Sequence, residues 1–207
     1  MNYSRWTWIV VGALVNAAVL TGVVSLFGSR PVVSGWIILA LASVACGAEV
    51  ALAPTKPREV EQVWESRLQV LTGCLLFCIL VAAISRAADG PWMAVGGLAM
   101  LAGIGLRGAS LAALGAGFTS PSAAGTELIT RGVYGRVRHP SETGLLLIAL
   151  GAGIAGTSLV AVALWIVVLL PVTMARLRIE ERALRSGFGR AYDRYAATVP
   201  RLLPEVY

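Results

Sequence analysis

Apolar runs separated by short polar intervals organise the chain from end to end. Trp6 to Phe27, Val32 to Ala53, Leu68 to about Ile84 and Trp92 to about Leu114 are the first four. Each approaches the roughly 20 residues that a helix needs to cross a bilayer. Turn-forming or charged residues punctuate them, at Gly28-Ser29-Arg30-Pro31 and at Arg86, Asp89, Gly90 and Pro91. Between the second and third runs, Lys56, Arg58 and Arg67 face Glu59, Glu61 and Glu65 in a segment that reads as a solvated connector or short surface helix. Gly115 to Thr130 is rich in Gly, Ser, Thr and Ala, the composition of a loop. The last run, Leu145 to Ala175, is too long for one ordinary crossing. Gly151, Gly153, Gly156, Thr157 and Ser158 interrupt it, which predicts a tight hairpin with a short first arm and with Pro171 kinking the second.

Composition agrees with that pattern. Hydrophobic residues make up 57% of the 207 residues and charged residues 14%, against about 25% charged in soluble domains. The expected fold is an all-α integral membrane protein, a bundle of about five or six transmembrane helices. The first run, longer than a signal core and without a small-residue cleavage site, reads as a retained anchor. The net charge of +6 is carried almost wholly by arginines at the ends of apolar runs. Charge so placed orients helices and meets lipid headgroups, which argues for membrane lipid and against nucleic acid as a partner. Lys56, Arg58 and Arg67, then Arg107, Arg131, Arg136 and Arg138, then Arg176 to Arg201 fall on one side of the membrane. The positive-inside rule makes that side, and both termini, cytoplasmic, as in a bacterial-type inner or plasma membrane. Cys46, Cys74 and Cys78 lie inside apolar runs and have no metal-ligand spacing with the lone His139, so packing accounts for them.

The chemistry concentrates in the polar interval from Gly132 to Gly144, which contains the chain's single histidine. With Arg138 before it and Pro140 after it, His139 sits on a stiffened loop entering a helix. It reads as a ligand-binding group, a general base or a plain surface residue. The acidic pair Glu180-Glu181 follows the last apolar run. It reads either as ligand-binding or as half of two i,i+4 pairs, Arg176 with Glu180 and Glu181 with Arg185. Gly103 and Gly105 remove side chains where a backbone could approach a ligand or another helix, with packing the better reading. Glu49, close to a membrane boundary, reads as reaching headgroups or water. In the tail, Tyr192, Arg194, Tyr195 and Arg201 suggest an amphipathic interfacial helix, which an extended segment from Val199 to Pro204 then caps.

These residues resemble a family. Gly132-Val133-Tyr134-Gly135-Arg136-Val137-Arg138-His139-Pro140, an apolar hairpin, Glu180-Glu181-Arg182-Ala183-Leu184, Phe188-Gly189, Tyr192, Tyr195 and Val199-Pro200-Arg201 look like the isoprenylcysteine carboxyl methyltransferases, which share a wider group with membrane phospholipid N-methyltransferases. The resemblance covers roughly 98–204 and divides the chain into N-terminal helices, 1–97, and a methyltransferase core, 98–207. It implies S-adenosylmethionine as methyl donor, bound at a cytoplasmic site. The residues it implies as cofactor-binding are Tyr134, Arg138, His139, Pro140, Gly144, Glu180 and Glu181, with Gly103 and Gly105 resembling the Gly-x-Gly of the phospholipid enzymes. The acceptor it implies is a lipophilic small molecule or prenylated substrate whose tail enters from the bilayer. Carboxyl O-methylation is the default reaction, and Arg201 is the first candidate, before Arg194 and Arg107, to orient the acceptor carboxylate.

One residue departs from the family pattern. The family's loop usually reads Arg-His-Pro-x-Tyr-x-Gly, and here Glu142 stands at the tyrosine position. A carboxylate acceptor is already ionised at neutral pH, whereas an ammonium must lose a proton before it can be methylated. Glu142, as a candidate base, therefore keeps N- or S-methylation of a lipid or small molecule open. Two other readings stand beside these: a sterol-reductase-like enzyme using a nicotinamide cofactor, and a non-catalytic membrane scaffold.

Overall fold

The computed structural model describes residues 25, 33–52, 63–85, 90–114 and 128–202. The first apolar run, most of the mixed-charge segment and most of the Gly/Ser/Thr loop lie outside the described residues, as do the side chains of Glu49, Cys46 and Cys74. Among the described residues the regular structure is helical throughout: α1 Val33–Leu52, α2 Val63–Ser85, α3 Trp92–Leu114, α4 Pro140–Ala155, α5 Leu159–Leu164, α6 Leu170–Phe188 and α7 Arg190–Thr198. A 3-10 turn, Gly132–Gly135, precedes α4.

The apolar runs become helices for the reason their length suggests: long stretches of Leu, Ala and Val with few charges satisfy their backbones internally. Trp92–Ala113 and Leu159–Phe188 are each long and apolar enough to cross a membrane, yet only 22% and 17% of an 18-residue apolar stretch in each is buried. A soluble protein would cover such surfaces. Here Leu98, Leu101, Leu159 and Val167 point outward, more than half exposed, the arrangement lipid tails accept. Cys78 on α2 is also exposed rather than packed inward.

The core follows the contact between α3 and α4, and small residues bring these two helices together. A Cβ on Gly96 would lie 2.4 Å from the Gly151 carbonyl oxygen, and one on Gly103 would lie 2.5 Å from that of Gly144. Backbones so close leave no room for any side chain at either crossing. Ile38, Leu39, Ile79, Ala83, Met100, Ile148, Ala152 and Leu169 form one continuous apolar cluster from α1 to the start of α6.

A turn at Gly156–Ser158 joins α4 to α5. Ser158 caps α5, accepting from the Ala161 N–H at 3.2 Å and donating to the Ala82 carbonyl of α2 at 3.1 Å. Between α5 and α6 the helix widens into a π turn, Trp165–Leu169. Pro171 follows in the first turn of α6. Proline has no N–H to give the carbonyl four residues earlier, and a widened turn relieves the resulting mismatch without breaking the helix. Trp165 also ties this segment to α4, its indole N–H donating to the Leu146 carbonyl at 2.9 Å.

Candidate functional site

Three pieces of chain that are distant in sequence meet at the polar end of α4 and α6. His139 occupies the N-cap position of α4, with Pro140 in the first turn. That placement follows from proline's fixed φ and missing N–H, which suit a helix start. Just upstream the 3-10 turn begins at Gly132, whose φ of +65° would strain any residue with a Cβ. Val137, 4% exposed, anchors the loop in the interior.

The tail supplies the second piece. Gly189 holds φ +52° and ψ −130°, a combination open essentially to glycine alone, and lets the chain turn from α6 into α7. Residues beyond α7 then run alongside the loop. The Arg138 N–H donates to the Pro200 carbonyl at 2.8 Å, and the His139 N–H to the Arg201 carbonyl at 3.1 Å. The Thr143 hydroxyl reaches the Leu202 carbonyl at 2.9 Å. This strap occupies loop N–H groups that would otherwise need water.

Glu181, on α6, is the third piece. It is 1% exposed and takes all its partners from the loop and the strap. Arg138 Nη1 lies 2.9 Å from Oε1, and Arg201 donates from Nε to Oε1 at 3.0 Å and from Nη2 to Oε2 at 2.6 Å. His139 Nε2 is 3.2 Å from Oε1. A carboxylate only accepts, so a neutral His139 bonds there with its proton on Nε2. A buried carboxylate so surrounded joins loop, helix and strap into one unit, since separating any partner exposes an uncompensated charge. The sequence pairs Glu181 with Arg185 along its own helix; burial turns it inward instead, and Arg185 meets Asp193 at 3.4 Å.

Glu180 is the more open member of the acidic pair, with 35% of its side chain exposed and one oxygen 3.7 Å from His139 Nδ1. Tyr134 lies nearby: its hydroxyl is 3.0 Å from Ser110 Oγ, and burial pushes its phenol above the ordinary tyrosine value. Tyr195 donates to the Tyr134 carbonyl at 2.7 Å. Its own phenol is raised well above the usual range, first by burial and then by neighbouring Tyr192. The amphipathic-helix reading of the tail gave no sign of this anchoring bond.

Glu142 forms a second polar centre in the first turn of α4. It is 8% exposed and pairs with Arg176 on α6, a partner the residue spacing did not suggest. Arg107 on α3 donates from Nη1 to both the carbonyl and the hydroxyl of Ser141, each at 2.9 Å. Gly103 and Gly144, read as possible ligand contacts, face each other in the helix crossing; Gly105 meets open space. Arg201, a candidate for the acceptor carboxylate, spends its planar fork on Glu181.

A cavity of about 660 Å³ lies beside this assembly, lined by Leu128, Thr130, Gly135, Phe188, Arg194 and Tyr195 among others. It touches the site through the 3-10 turn, Tyr195 and the start of the strap at Val199, and Arg138, His139 and Glu180 are not part of its wall.

The part of the chain that holds the loop and the acidic pair is similar to known proteins. The profile described as phospholipid methyltransferase matches residues 91–191. A protein-S-isoprenylcysteine O-methyltransferase of Schizosaccharomyces pombe is 38% identical over 77 residues, 37% of this chain and 33% of that protein. Protein-S-isoprenylcysteine O-methyltransferase B of Arabidopsis thaliana is 35% identical over 80 residues, 39% of this chain and 41% of that protein. Over these stretches the chain is similar to the isoprenylcysteine carboxyl methyltransferases. It spans between a third and about two fifths of the length of these curated relatives. The fold agrees: a eukaryotic intramembrane Ras methyltransferase, an isoprenylcysteine carboxyl methyltransferase, superposes with a TM-score of 0.57 over 82% of this chain and 65% of that one, at 20% identity.

Proposed function

We propose that this chain is a member of the isoprenylcysteine carboxyl methyltransferase family, a membrane enzyme that transfers a methyl group from S-adenosylmethionine to a lipophilic acceptor. The transfer takes place at the cytoplasmic face, in the core 98–207. The observation that carries the reading is the meeting of His139 with the acidic pair, 3.2 Å from Glu181 and 3.7 Å from Glu180. The loop and the end of α6 thereby close one polar site at the mouth of an apolar bundle.

The donor is a cation with a sulfonium, an ammonium and a carboxylate. Glu181 already balances Arg138 and Arg201. Glu180, with a third of its side chain exposed, is the member positioned to take the ammonium end. Tyr134 offers an aromatic face for the adenine, and Arg138 and His139 offer donors toward ribose or carboxylate. The donor supplies an activated methyl group, so the chain has only to align the reactants and exclude water. The strap and the buried Glu181 do this by fixing the loop, and the outward apolar faces of α3 and α5 leave the acceptor's tail a route from the bilayer. Carboxyl methylation is what the names of the relatives suggest; the head group this chain accepts depends on the surroundings of Glu142.

Calorimetric titration of the detergent-purified protein with S-adenosylhomocysteine tests the reading. Saturable binding is expected, weakened at least tenfold by Glu180→Gln. Absence of binding by folded wild-type protein would sink it, and titration with a nicotinamide dinucleotide in the same preparation would then separate the reductase-like from the scaffold reading.

A further inference from the structure

Ser110 is a buried polar residue outside the loop, the acidic pair and the strap. It lies near the end of α3 amid Ala109, Leu111 and Ala112, and is 0% exposed. A serine within an apolar helix ordinarily returns its hydroxyl to the carbonyl one turn earlier. Here Oγ reaches across 24 residues of sequence to the Tyr134 hydroxyl at 3.0 Å, and either oxygen can donate. A polar bond made across elements in an apolar bundle fixes the geometry of both partners, because breaking it strands a hydroxyl away from water.

The two ends of the loop are held in different ways. At the His139 end, the strap takes the backbone N–H groups and Glu181 takes the side chains. At the Tyr134 end, the Tyr195 hydroxyl donates to the Tyr134 carbonyl at 2.7 Å, which holds the backbone and leaves the ring free to turn. Gly132 and Gly135 lie in the same 3-10 turn and offer no side chain to pack on that ring. The bond to Ser110 holds its tip. Arg107, one turn earlier on α3, donates to Ser141, so the same helix end braces both the loop and the start of α4.

The ring held in this way borders the donor site. The Tyr134 hydroxyl feels the charges of Glu180, Glu142 and Arg107, and Glu180 stands 3.7 Å from His139. Tyr134 is half-buried, so part of it stays accessible to a ligand. An aromatic side chain that has to be ordered at the moment of binding costs affinity, and one fixed beforehand avoids that cost.

We infer that Ser110 is a positioning residue of the donor site, holding the Tyr134 ring by its hydroxyl in the orientation that receives the adenine of S-adenosylmethionine. The inference rests on the methyl-transfer reading. Ser110 acts through Tyr134 and touches neither donor nor acceptor.

The test is calorimetric titration of the detergent-purified full chain with S-adenosylhomocysteine and, separately, with methylthioadenosine, which has the adenine and lacks the amino-acid end. Ser110→Ala should weaken both about three- to tenfold, the range expected for ordering one side chain. Tyr134→Phe keeps the ring and removes the tether, so it should weaken both to the same extent. The double variant should be no worse than either, because all three break one bond. Ser110→Thr keeps a hydroxyl and should bind as the wild type does. Unfolding midpoints are taken for each variant, since a side chain serving only the fold would lower the midpoint without producing this pattern of affinities. Unchanged binding in Ser110→Ala, losses that add in the double variant, or a loss confined to S-adenosylhomocysteine would overturn the inference alone. Folded wild-type protein that binds neither ligand would instead overturn the methyltransferase reading on which it rests.

Discussion

Arg201 grips Glu181 with two hydrogen bonds, Nε to Oε1 at 3.0 Å and Nη2 to Oε2 at 2.6 Å, joining the tail to α6 across 20 residues of sequence. The paired bonds hold the Arg201 guanidinium still more firmly protonated than usual, against a smaller opposing effect of burial. Because Glu181 is buried and Arg201 a third exposed, the two ends of this bridge should respond differently to substitution. Glu181→Ala leaves Arg138 and His139 facing an empty site and should cost about 3–5 kcal/mol. Arg201→Ala leaves Glu181 with two partners and should cost about 1–3 kcal/mol. The double variant should be less destabilised than the two costs added together. Equilibrium unfolding of the four proteins in one detergent measures all three quantities, and strict additivity would show that the bridge does not couple the elements.

The strap should be visible in exchange kinetics. The Arg138 and His139 amides donate to the Pro200 and Arg201 carbonyls, so both should exchange slowly in the full chain. Truncation after Thr198 removes those carbonyls together with the Arg201 side chain. Exchange at Arg138 and His139 should then accelerate by at least tenfold, and S-adenosylhomocysteine binding should fall with it. Amide hydrogen exchange read by mass spectrometry over 137–143 checks this; unchanged protection after truncation would mean that the loop holds its shape without the strap.

Alkaline pH should weaken the same region. In the unfolded chain Tyr195 titrates near 10, and in the folded protein burial raises it well above that. Tyr134 and Tyr192 are raised in the same sense. A phenol raised on folding contributes stability that is complete below pH 10 and is lost as pH climbs through the folded value. Stability should therefore be level to about pH 9 and decline above pH 10. Tyr195→Phe, which deletes the bond to the Tyr134 carbonyl, should lower stability by about 1 kcal/mol at neutral pH and flatten the alkaline decline. Unfolding midpoints from pH 7 to 11 provide the comparison.

How much of this could be read from residues alone varied with the range of the interaction. The extents of α1 and α3 follow from apolar runs between charges and turns, because a helix in lipid is specified by continuous local composition; α2 starts at Val63, five residues before its apolar run and inside the segment read as a connector or short surface helix. The start of α4 at Pro140 was equally legible, since proline after a polar residue carries its own backbone rule. The partners of Arg176 and Glu181 were not. Spacing along α6 offered Glu180 and Arg185, and only the tertiary fold, with the loop before α4 and the return of the strap, brings Glu142, Arg138 and Arg201 into reach. Family resemblance marked Glu181 without indicating that its carboxylate is already balanced by three groups of the chain itself.

Gly103 and Gly105 separate a packing role from a ligand role within one turn of α3. A methyl group at Gly103 would lie 2.5 Å from the Gly144 carbonyl oxygen, part of a backbone that cannot rotate aside, whereas nothing lies within 4 Å of one at Gly105. Gly103→Ala must push α3 and α4 apart and should cost about 1–3 kcal/mol. Gly105→Ala has no such neighbour and should gain up to about 1 kcal/mol from helix propensity. If Gly105 serves only the helix, its alanine variant should also bind S-adenosylhomocysteine as the wild type does. Thermal unfolding and calorimetric titration of the two variants side by side decide between the roles. A stable Gly105→Ala protein that no longer binds the cofactor product would give Gly105 a place in the cofactor site, and a neutral Gly103→Ala would refute the close crossing of the two helices.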